Sequence, residues 1–214
     1  MKIVDIRREY TLTGLRSSDL DANPIAQFQK WFEQATTALQ EKELDVNAAT
    51  LATADKNGKP SARIVLLKNL DERGFIFFTN YDSRKGRELS ENPNASLVFY
   101  WQQLERQVCI AGSIQKASRE ESEKYFKSRP RGSQLAAWAS NQSDIVTDRA
   151  ALEAKWSEME KRFPGEVPLP PNWGGYVLKP ERIEFWQGRA SRLHDRFCYT
   201  RKKNNSWKLE RLAP

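Results

Sequence analysis

The chain has 214 residues, and its 35 lysines and arginines against 28 aspartates and glutamates give a net charge of +7. Hydrophobic residues make up 39% and aromatic residues 11%, which is too much core-forming material for an intrinsically disordered chain. No apolar run approaches the ~18 residues that a membrane-spanning helix needs. Two cysteines are too few for a disulfide framework. We therefore expect a globular cytoplasmic protein that has no membrane partner.

Several kinds of chemistry are disfavoured by the same inventory. One histidine and two distant cysteines do not supply the usual ligands of a zinc site, so no metal is expected. The glycine-rich motifs GxxxxGK[ST] and GxGxxG, which bind nucleotide phosphates, are absent. The net charge leaves nucleic-acid binding as an alternative, but the cations are spread along the chain without a basic tail or a reader motif. No nucleic-acid partner is therefore expected.

The N-terminal part of the chain divides into an arm and a helix. Residues 1–22 are polar and basic without a clear period, and we interpret them as a mobile arm before a single domain of residues 23–214. Asn23 can cap a helix, and Pro24 suits its first turn. Apolar side chains then recur every three or four positions, which predicts an amphipathic helix. They are Ile25, Phe28, Phe32, Ala35 and Leu39.

From residue 49 the pattern changes to short strands separated by turn residues, among them the hairpin signal Asn57-Gly58. The predicted strands cover residues 49–54, 61–68, 75–79, 95–101, 106–116, 182–187, 192–199 and 207–212. Because most of them are neighbours in sequence, they predict a mainly β fold, an antiparallel sheet closed into a barrel with helices packed outside it.

Helix signals fall between these strands. Ser83 can cap a short helix that ends before Pro93, and Ser118 with Glu121 forms a capping box for a helix to residue 128. Two further helices are predicted over residues 133–139 and around residues 152–163. The helical insertion before the last three strands is too small to fold alone, so we predict one domain.

The segment Arg192-Leu193-His194-Asp195-Arg196 carries the only histidine of the chain. In a strand, alternation would place Arg192, His194 and Arg196 on one face. An anion or a flat electron-rich ring would offset the repulsion between these cations. A solvated edge strand with a basic outer face explains the pattern equally well.

Two clusters of cations could bind phosphate, and each also has a plainer explanation. Arg63 and Lys68 bracket an apolar strand and would project from opposite faces, or they could belong to a buried strand whose ends reach solvent. Ser83, Arg84 and Lys85 begin a predicted helix, where free N–H groups and two cations suit a phosphate. A basic solvated turn would look the same.

A third cluster combines a phenol, a guanidinium and a hydroxyl near a helix start. Tyr125 and Arg129 are four residues apart and would share a helix face, and Ser133 begins the next predicted helix. The plainer explanation is that Arg129 lies at the C-terminal end of a helix, where its positive charge interacts favourably with the helix dipole. Taken together, the clusters and the aromatic residues between them indicate phosphorylated aromatic ligands.

The run IEFWQ at residues 183–187, four further residues and the run RLHDR at residues 192–196 resemble the signature of the pyridoxamine 5′-phosphate oxidase family. Other segments match along nearly the whole chain: residues 7–10, 63–68, 83–85, 104–108, 128–131, 173–175 and 211–214. The resemblance implies a split β-barrel fold and a homodimer that holds FMN in a cleft at the subunit interface.

The resemblance also implies the reaction. Pyridoxamine 5′-phosphate and pyridoxine 5′-phosphate would be oxidised to pyridoxal 5′-phosphate, a step of vitamin B6 salvage. A hydride would leave the 4′ carbon for flavin N5, and dioxygen would reoxidise the flavin and yield hydrogen peroxide. A flavin-binding split-barrel protein without oxidase activity is the alternative.

By the same resemblance, Arg63, Arg84 and Lys85 hold the flavin phosphate, together with Gln142 and Ser143 from the partner chain. The flavin is lined by residues from several strands: Ile64, Val65, Leu66, Leu67, Lys68, Phe78, Thr79, Gln107, Trp186 and Arg196. The substrate phosphate would be bound by Lys68, Tyr125, Arg129 and Ser133.

The remaining assignments concern the substrate ring. The resemblance places Arg192, Leu193 and His194 over the pyridine, and it makes Arg192 and His194 the candidates for orientation and proton handling. The N-terminal arm would close over the site with Arg7, Arg8, Glu9 and Tyr10.

Overall fold

The computed structural model describes residues 3–5, 9–40 and 44–214, so Arg7 and Arg8 of the predicted arm lie outside the described residues. Helices in this part of the chain are α1 Pro24–Leu39, α2 Arg84–Glu91, α3 Arg119–Ser128, α4 Arg131–Ala139 and α5 Arg149–Arg162. Strands are β1 Ala48–Ala54, β2 Pro60–Leu66, β3 Asn69–Asp71, β4 Gly74–Asn80, β5 Asn94–Trp101, β6 Arg106–Lys116, β7 Trp173–Gln187, β8 Asp195–Arg201 and β9 Trp207–Leu212. None of the helices in these ranges has the length and hydropathy that crossing a bilayer requires.

The helix boundaries follow from their caps. The side chain of Asn23 accepts a hydrogen bond from the backbone of Ile25, and Ser83 does the same for the backbone of Gly86, as predicted. The capping box of Ser118 and Glu121 is also present. Helix α4 begins at Arg131 rather than at residue 133, because the carbonyl of Pro130 already accepts hydrogen bonds from its first turn.

The sheet is antiparallel, with the order β2-β1-β5-β6-β7-β4-β3, and β8 and β9 extend from β7. Strand β7 pairs with β6 along its length, with β4 through residues 173–178 and with β8 through residues 182–187. After β2, the backbone N–H of Lys68 donates to the carbonyl of Ile76 in β4 at 2.8 Å, so the chain turns back toward the far side of the sheet. The curled sheet forms the predicted split barrel.

Helix α1 fills the inside of this curl with aromatic side chains. The ring of Phe28 meets Phe75 and Phe99 edge-on at 4.9 and 5.0 Å, and Trp31 meets Phe185 at 5.1 Å. A second apolar cluster lies under α3, α4 and α5 and reaches the sheet through Trp173. Aromatic burial of this kind is the main stabilising contribution to both clusters.

Strand β7 is much longer than the predicted strand of residues 182–187. Gly174, Gly175 and Pro180 argue against a strand in the sequence, but each is accommodated here. Pro180 stands at a bulge, where the register between β6 and β7 shifts at Ala111 and Gly112. A proline without an N–H group is tolerated at such a position, so the strand continues past it.

The predicted strand of residues 192–199 is wrong at its start. Residues Ala190–Arg192 form a short 3-10 turn, and Ser191 and Arg192 adopt left-handed backbone conformations with φ of 54° and 61°. Such conformations cannot continue a strand, so β8 begins at Asp195. Consequently Arg192 and His194 do not share a strand face with Arg196.

Part of the N-terminal segment contacts two buried carboxylates. The backbone N–H groups of Thr11 and Leu12 donate to Glu105 at 3.0 and 3.1 Å, and that of Leu15 donates to Asp195 at 3.0 Å. Leu15 is itself part of the main core. The division into an arm of residues 1–22 and a domain of residues 23–214 stays a prediction.

Candidate active site

A basic cluster, which we call the α2 cluster, lies where α2 meets β2. Arg63 and Arg84 both pair with the buried carboxylate of Glu88, at 3.3 and 2.8 Å. Burial alone would raise the pKa of Glu88, but hydrogen bonds from Ser61, Thr53 and Arg84, together with the charge of Arg63, lower it to about 2. Glu88 therefore stays ionised and holds the two guanidinium groups in place.

Lys85 is the third cation of the α2 cluster and is only 8% exposed. Its ammonium group donates to Gln142 at 2.6 Å, to Thr79 at 3.1 Å and to Ser83 at 3.3 Å. Burial, reinforced by the charge of Arg63, lowers the pKa of Lys85 to about 8. The protonated form of a lysine buried in this way is stabilised when an anion binds next to it.

Gln142 and Ser143 belong to this cluster in the same chain. The side-chain oxygen of Gln142 accepts from Lys85, and the hydroxyl of Ser143 accepts from the backbone N–H of Arg84 at 3.2 Å. The expectation that the partner chain supplies them is therefore wrong. The cause is the connection after α4, which brings them back onto the start of α2.

The α2 cluster fits the phosphate of FMN. Three cations around one carboxylate leave a net charge of about +2, which matches the charge of about −2 on a phosphate monoester. The start of α2 lies in this cluster, and the positive end of the helix dipole adds to the attraction for an anion. The predicted contact residue Thr79 lies here as well, whereas Phe78 points to the other face of β4 and stacks on Tyr125 at 4.1 Å.

The predicted flavin-lining segment that follows Arg63 is divided between two faces. Ile64 is 63% exposed and Leu66 is 37% exposed, while Val65 and Leu67 contribute to the core. Exposed apolar side chains on one face of β2 leave a surface that a flat ring or another chain could cover.

A second group of predicted flavin residues lies in one row across three strands. Gln107 stands opposite Trp186, and Trp186 stands opposite Arg196. The Nε atom of Arg196 donates to the buried carboxylate of Glu184 at 2.8 Å. Glu184 was not among the predicted site residues, because a carboxylate inside an apolar strand gives no sign of its partner before the strands are paired.

His194 and Tyr10 lie next to this row. The ring of His194 is 4.6 Å from that of Trp186, and the ring of Tyr10 packs edge-on against both, at 5.4 Å from Trp186 and 5.5 Å from His194. Burial and the charge of Arg192 lower the pKa of His194, so the ring is neutral at neutral pH. The other residues predicted to cover a substrate, Glu9, Arg192 and Leu193, are exposed.

Two of the four residues of the third predicted group, Lys68 and Tyr125, line a cavity of about 350 Å³ beside α3. Arg129 directly follows α3 rather than extending the helix face of Tyr125, and its guanidinium lies 4.7 Å from the ring of Trp173. Its Nη1 atom is buried without a hydrogen-bond partner. Ser133, in the first turn of α4, completes the predicted set.

An unpartnered buried guanidinium N–H points to a missing acceptor. Leaving such a donor unsatisfied carries a cost of about 1–3 kcal/mol, which a bound anion would remove. Burial also lowers the pKa of Arg129, as expected where water is displaced from a cation. The group made of Lys68, Tyr125, Arg129 and Ser133, which we call the α3 subsite, is therefore suited to a phosphate.

The α3 subsite and the Trp186 row are far apart in one chain. Trp173 contacts the α3 subsite at the start of β7, and Trp186 lies at its end, thirteen residues or about 40 Å of strand later. The α2 cluster is also far from the Trp186 row, because its Thr79 stands opposite Gly174, twelve residues before Trp186 on β7. One ligand cannot span these groups within a single chain.

An antiparallel split barrel that carries a cluster of cations suited to a phosphate is typical of proteins that bind a phosphorylated cofactor. Residues 35–163 match the family model described as pyridoxamine 5′-phosphate oxidase. Residues 173–214 match the model described as the pyridoxine 5′-phosphate oxidase C-terminal dimerisation region. The chain belongs to the pyridoxamine 5′-phosphate oxidase family.

Individual relatives agree with this assignment. The chain is 57% identical to the pyridoxine/pyridoxamine 5′-phosphate oxidase 1 of Ralstonia nicotianae and 55% identical to the pyridoxine/pyridoxamine 5′-phosphate oxidase of Paraburkholderia phymatum, each over 99% of both chains. Among solved structures, PhzG from Burkholderia lata, in complex with tetrahydrophenazine-1-carboxylic acid, is 34% identical with a TM-score of 0.88 over 97% of this chain and all of that chain.

Proposed function

We propose that two copies of this chain form two equivalent active sites, each of which oxidises pyridoxamine 5′-phosphate or pyridoxine 5′-phosphate to pyridoxal 5′-phosphate. Membership of the family makes the chain an FMN-dependent oxidase of these vitamers that works as a homodimer. The observation that supports a shared site is the separation of the predicted binding groups along β7. A second copy can bring its Trp186 row to the α2 cluster and α3 subsite of the first.

In this arrangement, the α2 cluster of one protomer holds the phosphate of FMN. The exposed apolar side chains of β2 and the partner's Gln107, Trp186 and Arg196 would contact the isoalloxazine ring. When bound, FMN supplies the hydride acceptor of the reaction and is reoxidised by dioxygen. The protein contributes binding, orientation and exclusion of water.

The substrate phosphate binds the α3 subsite, where Arg129 and Lys68 supply charge and Tyr125 and Ser133 supply hydroxyl groups. The partner's Arg192, Leu193 and His194 cover the ring of the substrate, with the partner's Tyr10 packed behind His194. Arg7, Arg8 and Glu9 remain candidates for closure of the arm.

The geometry of His194 supports a donor role. The backbone N–H of Arg189 donates to Nδ1 of His194 at 3.1 Å, so the proton of the neutral ring is on Nε2. Nε2–H can donate a hydrogen bond to a substrate oxygen and orient the ring for hydride transfer. It cannot accept a proton while Nδ1 keeps this bond.

The direct test is an assay of the FMN-loaded protein with each phosphorylated vitamer, in which pyridoxal 5′-phosphate and hydrogen peroxide are both measured. We expect both products from both substrates. A yellow, dimeric protein that yields neither product would instead be the flavin-binding protein without oxidase activity.

The first prediction concerns the pH dependence of flavin binding. FMN should bind about tenfold more weakly at pH 9 than at pH 7, because Lys85, with a pKa near 8, must be protonated in the complex. The flavin phosphate does not titrate in this range, since its second pKa is near 6. Fluorescence titration at several pH values measures the effect.

The matched control for this prediction is Lys85→Met, which removes the titrating group. It should bind FMN more weakly at pH 7 and show little change up to pH 9. An equally steep pH dependence in Lys85→Met would assign the titration to another group.

We also propose the cytoplasm as the compartment. Cys109 and Cys198 are free thiols that both stand opposite Glu184 on either side of β7, two strand spacings apart. At about 10 Å their Cα atoms are too distant for a disulfide. The fold therefore requires no bond that only an oxidising compartment would form.

A further inference from the structure

Glu184 is a buried carboxylate near the C-terminal end of β7, only 7% exposed. Arg196 of β8 contacts one of its oxygens through Nε at 2.8 Å, and Arg182 contacts the other through Nη2 at 3.3 Å. The thiols of Cys109 and Cys198 flank it in the neighbouring strands. The pKa of Cys109 is raised to about 11 by burial and by the charge of Glu184, so this thiol stays neutral.

Burial of a carboxylate in a strand is unfavourable unless its partners are well placed, and apolar side chains would serve the fold at least as well. The geometry therefore suggests a role for the charge itself. Glu184 is two residues from Trp186, so both side chains lie on the same face of β7. That face carries the row predicted to contact the flavin.

The Arg196 guanidinium is fixed at two points. Its Nε atom donates to Glu184, and its Nη1 atom donates to the carbonyl of Ala213 at 2.8 Å. The first contact also neutralises part of the guanidinium charge. The carboxylate thus determines both where Arg196 lies and how much positive charge it presents.

We propose that Glu184 is a positioning residue that sets the place and the effective charge of Arg196 at the flavin ring, and thereby lowers the reduction potential of bound FMN. This inference rests on the proposed function, in which Arg196 of one protomer contacts the FMN held by the α2 cluster of the other. Reduction adds negative charge to the flavin, and an uncompensated cation beside it makes that charge more favourable. Glu184 opposes this effect.

The test is the midpoint potential of bound FMN in the holoenzyme, measured by equilibration with redox dyes. Glu184→Gln keeps an oxygen that can accept from Arg196 but removes the charge, so the potential should shift in the positive direction. The affinity for FMN should change by less than about threefold, because the guanidinium remains hydrogen-bonded. Glu184→Ala should weaken FMN binding by about tenfold, since nothing then holds the guanidinium.

Glu210→Gln is the matched control. Glu210 stands opposite Cys198 in β9, one strand further along the same row, but it is exposed and pairs with Lys208 at 2.6 Å. Its neutralisation should leave the potential and the affinity for FMN at the wild-type values. A potential unchanged in folded, FMN-loaded Glu184→Gln, or shifted equally in Glu210→Gln, would overturn the proposal.

Arg182→Gln provides a test of opposite sign that keeps the carboxylate. Arg182 is half-exposed, and its loss would leave more of the Glu184 charge to act on Arg196, so the potential should shift in the negative direction. If Glu184→Gln does not fold, an unchanged potential in Arg182→Gln overturns the proposal by itself.

Arg196→Gln separates this proposal from the proposed function. If its potential and affinity for FMN equal those of the wild type, Arg196 is not at the flavin and the assignment of the shared site fails. If Arg196→Gln shifts the potential negatively and Glu184→Gln does not shift it, the shared site stands and the role of Glu184 fails.

Discussion

At substrate concentrations well below KM, where each variant alone is strongly impaired, a mixture of Arg129→Ala and His194→Ala protomers should recover about a quarter of wild-type activity. Arg129 belongs to the α3 subsite, whereas His194 lies beside Trp186 at the other end of β7. If one site combines these groups from two chains, a mixed dimer contains one site with both defects and one intact site. Random association makes half of the dimers mixed, and half of their sites are intact. Mixing by co-refolding, followed by the vitamer assay, measures the recovery.

The control uses two variants from the same half-site. Arg129→Ala mixed with Lys68→Ala should recover nothing, because every site of a mixed dimer then carries one defect in its α3 subsite. No recovery in the first mixture would show that each site is built within one chain, whereas recovery in this control would show that Arg129 and Lys68 of one site come from different chains.

Arg129→Ala alone should raise KM for pyridoxine 5′-phosphate by about ten- to a hundredfold. A charge-assisted hydrogen bond between guanidinium and phosphate contributes about 1.5–3 kcal/mol, and each ~1.4 kcal/mol corresponds to a factor of ten. We expect a smaller effect on kcat, since the phosphate is held equally in the ground and transition states. Affinity for FMN should change little, because the α2 cluster holds the flavin phosphate.

Lys127→Ala is the matched control for this kinetic measurement. Lys127 is two residues away, exposed and paired with Glu123 and Glu166 at 3.0 and 3.2 Å, so its removal changes the net charge equally without touching the subsite. Its KM should equal that of the wild type. Loss of FMN from Arg129→Ala with an unchanged KM would mean that the two phosphate sites have been exchanged.

Local signals in the sequence account for most of the fold. Asn23, Ser83 and Ser118 place helix starts correctly, because a cap depends on the next three residues alone. The full extent of β7 could not be predicted in this way. Its glycines and Pro180 are breakers in isolation, and only pairing with β4 and β6 makes a strand of them.

The candidate site shows the same limit. Arg63, Arg84 and Lys85 were each recognisable, and the structure brings them together. The left-handed turn at Ser191 and Arg192 has no sequence signal, since neither residue is a glycine, and it removed His194 from the predicted strand face. Which groups share one chain is a question of strand order and contour length, so the placement of Gln142 and Ser143 could not be read from the sequence.

The two ends of β7 have a consequence for inheritance. In a cell that makes both intact and damaged copies, a lesion confined to one half-site leaves every mixed dimer with one working centre. A change at the bulge beside Pro180 belongs to the same kind, because a one-residue slip there turns only the later side chains of β7, Trp186 among them, to the opposite face. Only an allele that damages both ends of β7 would disable both centres of a mixed dimer and so be dominant.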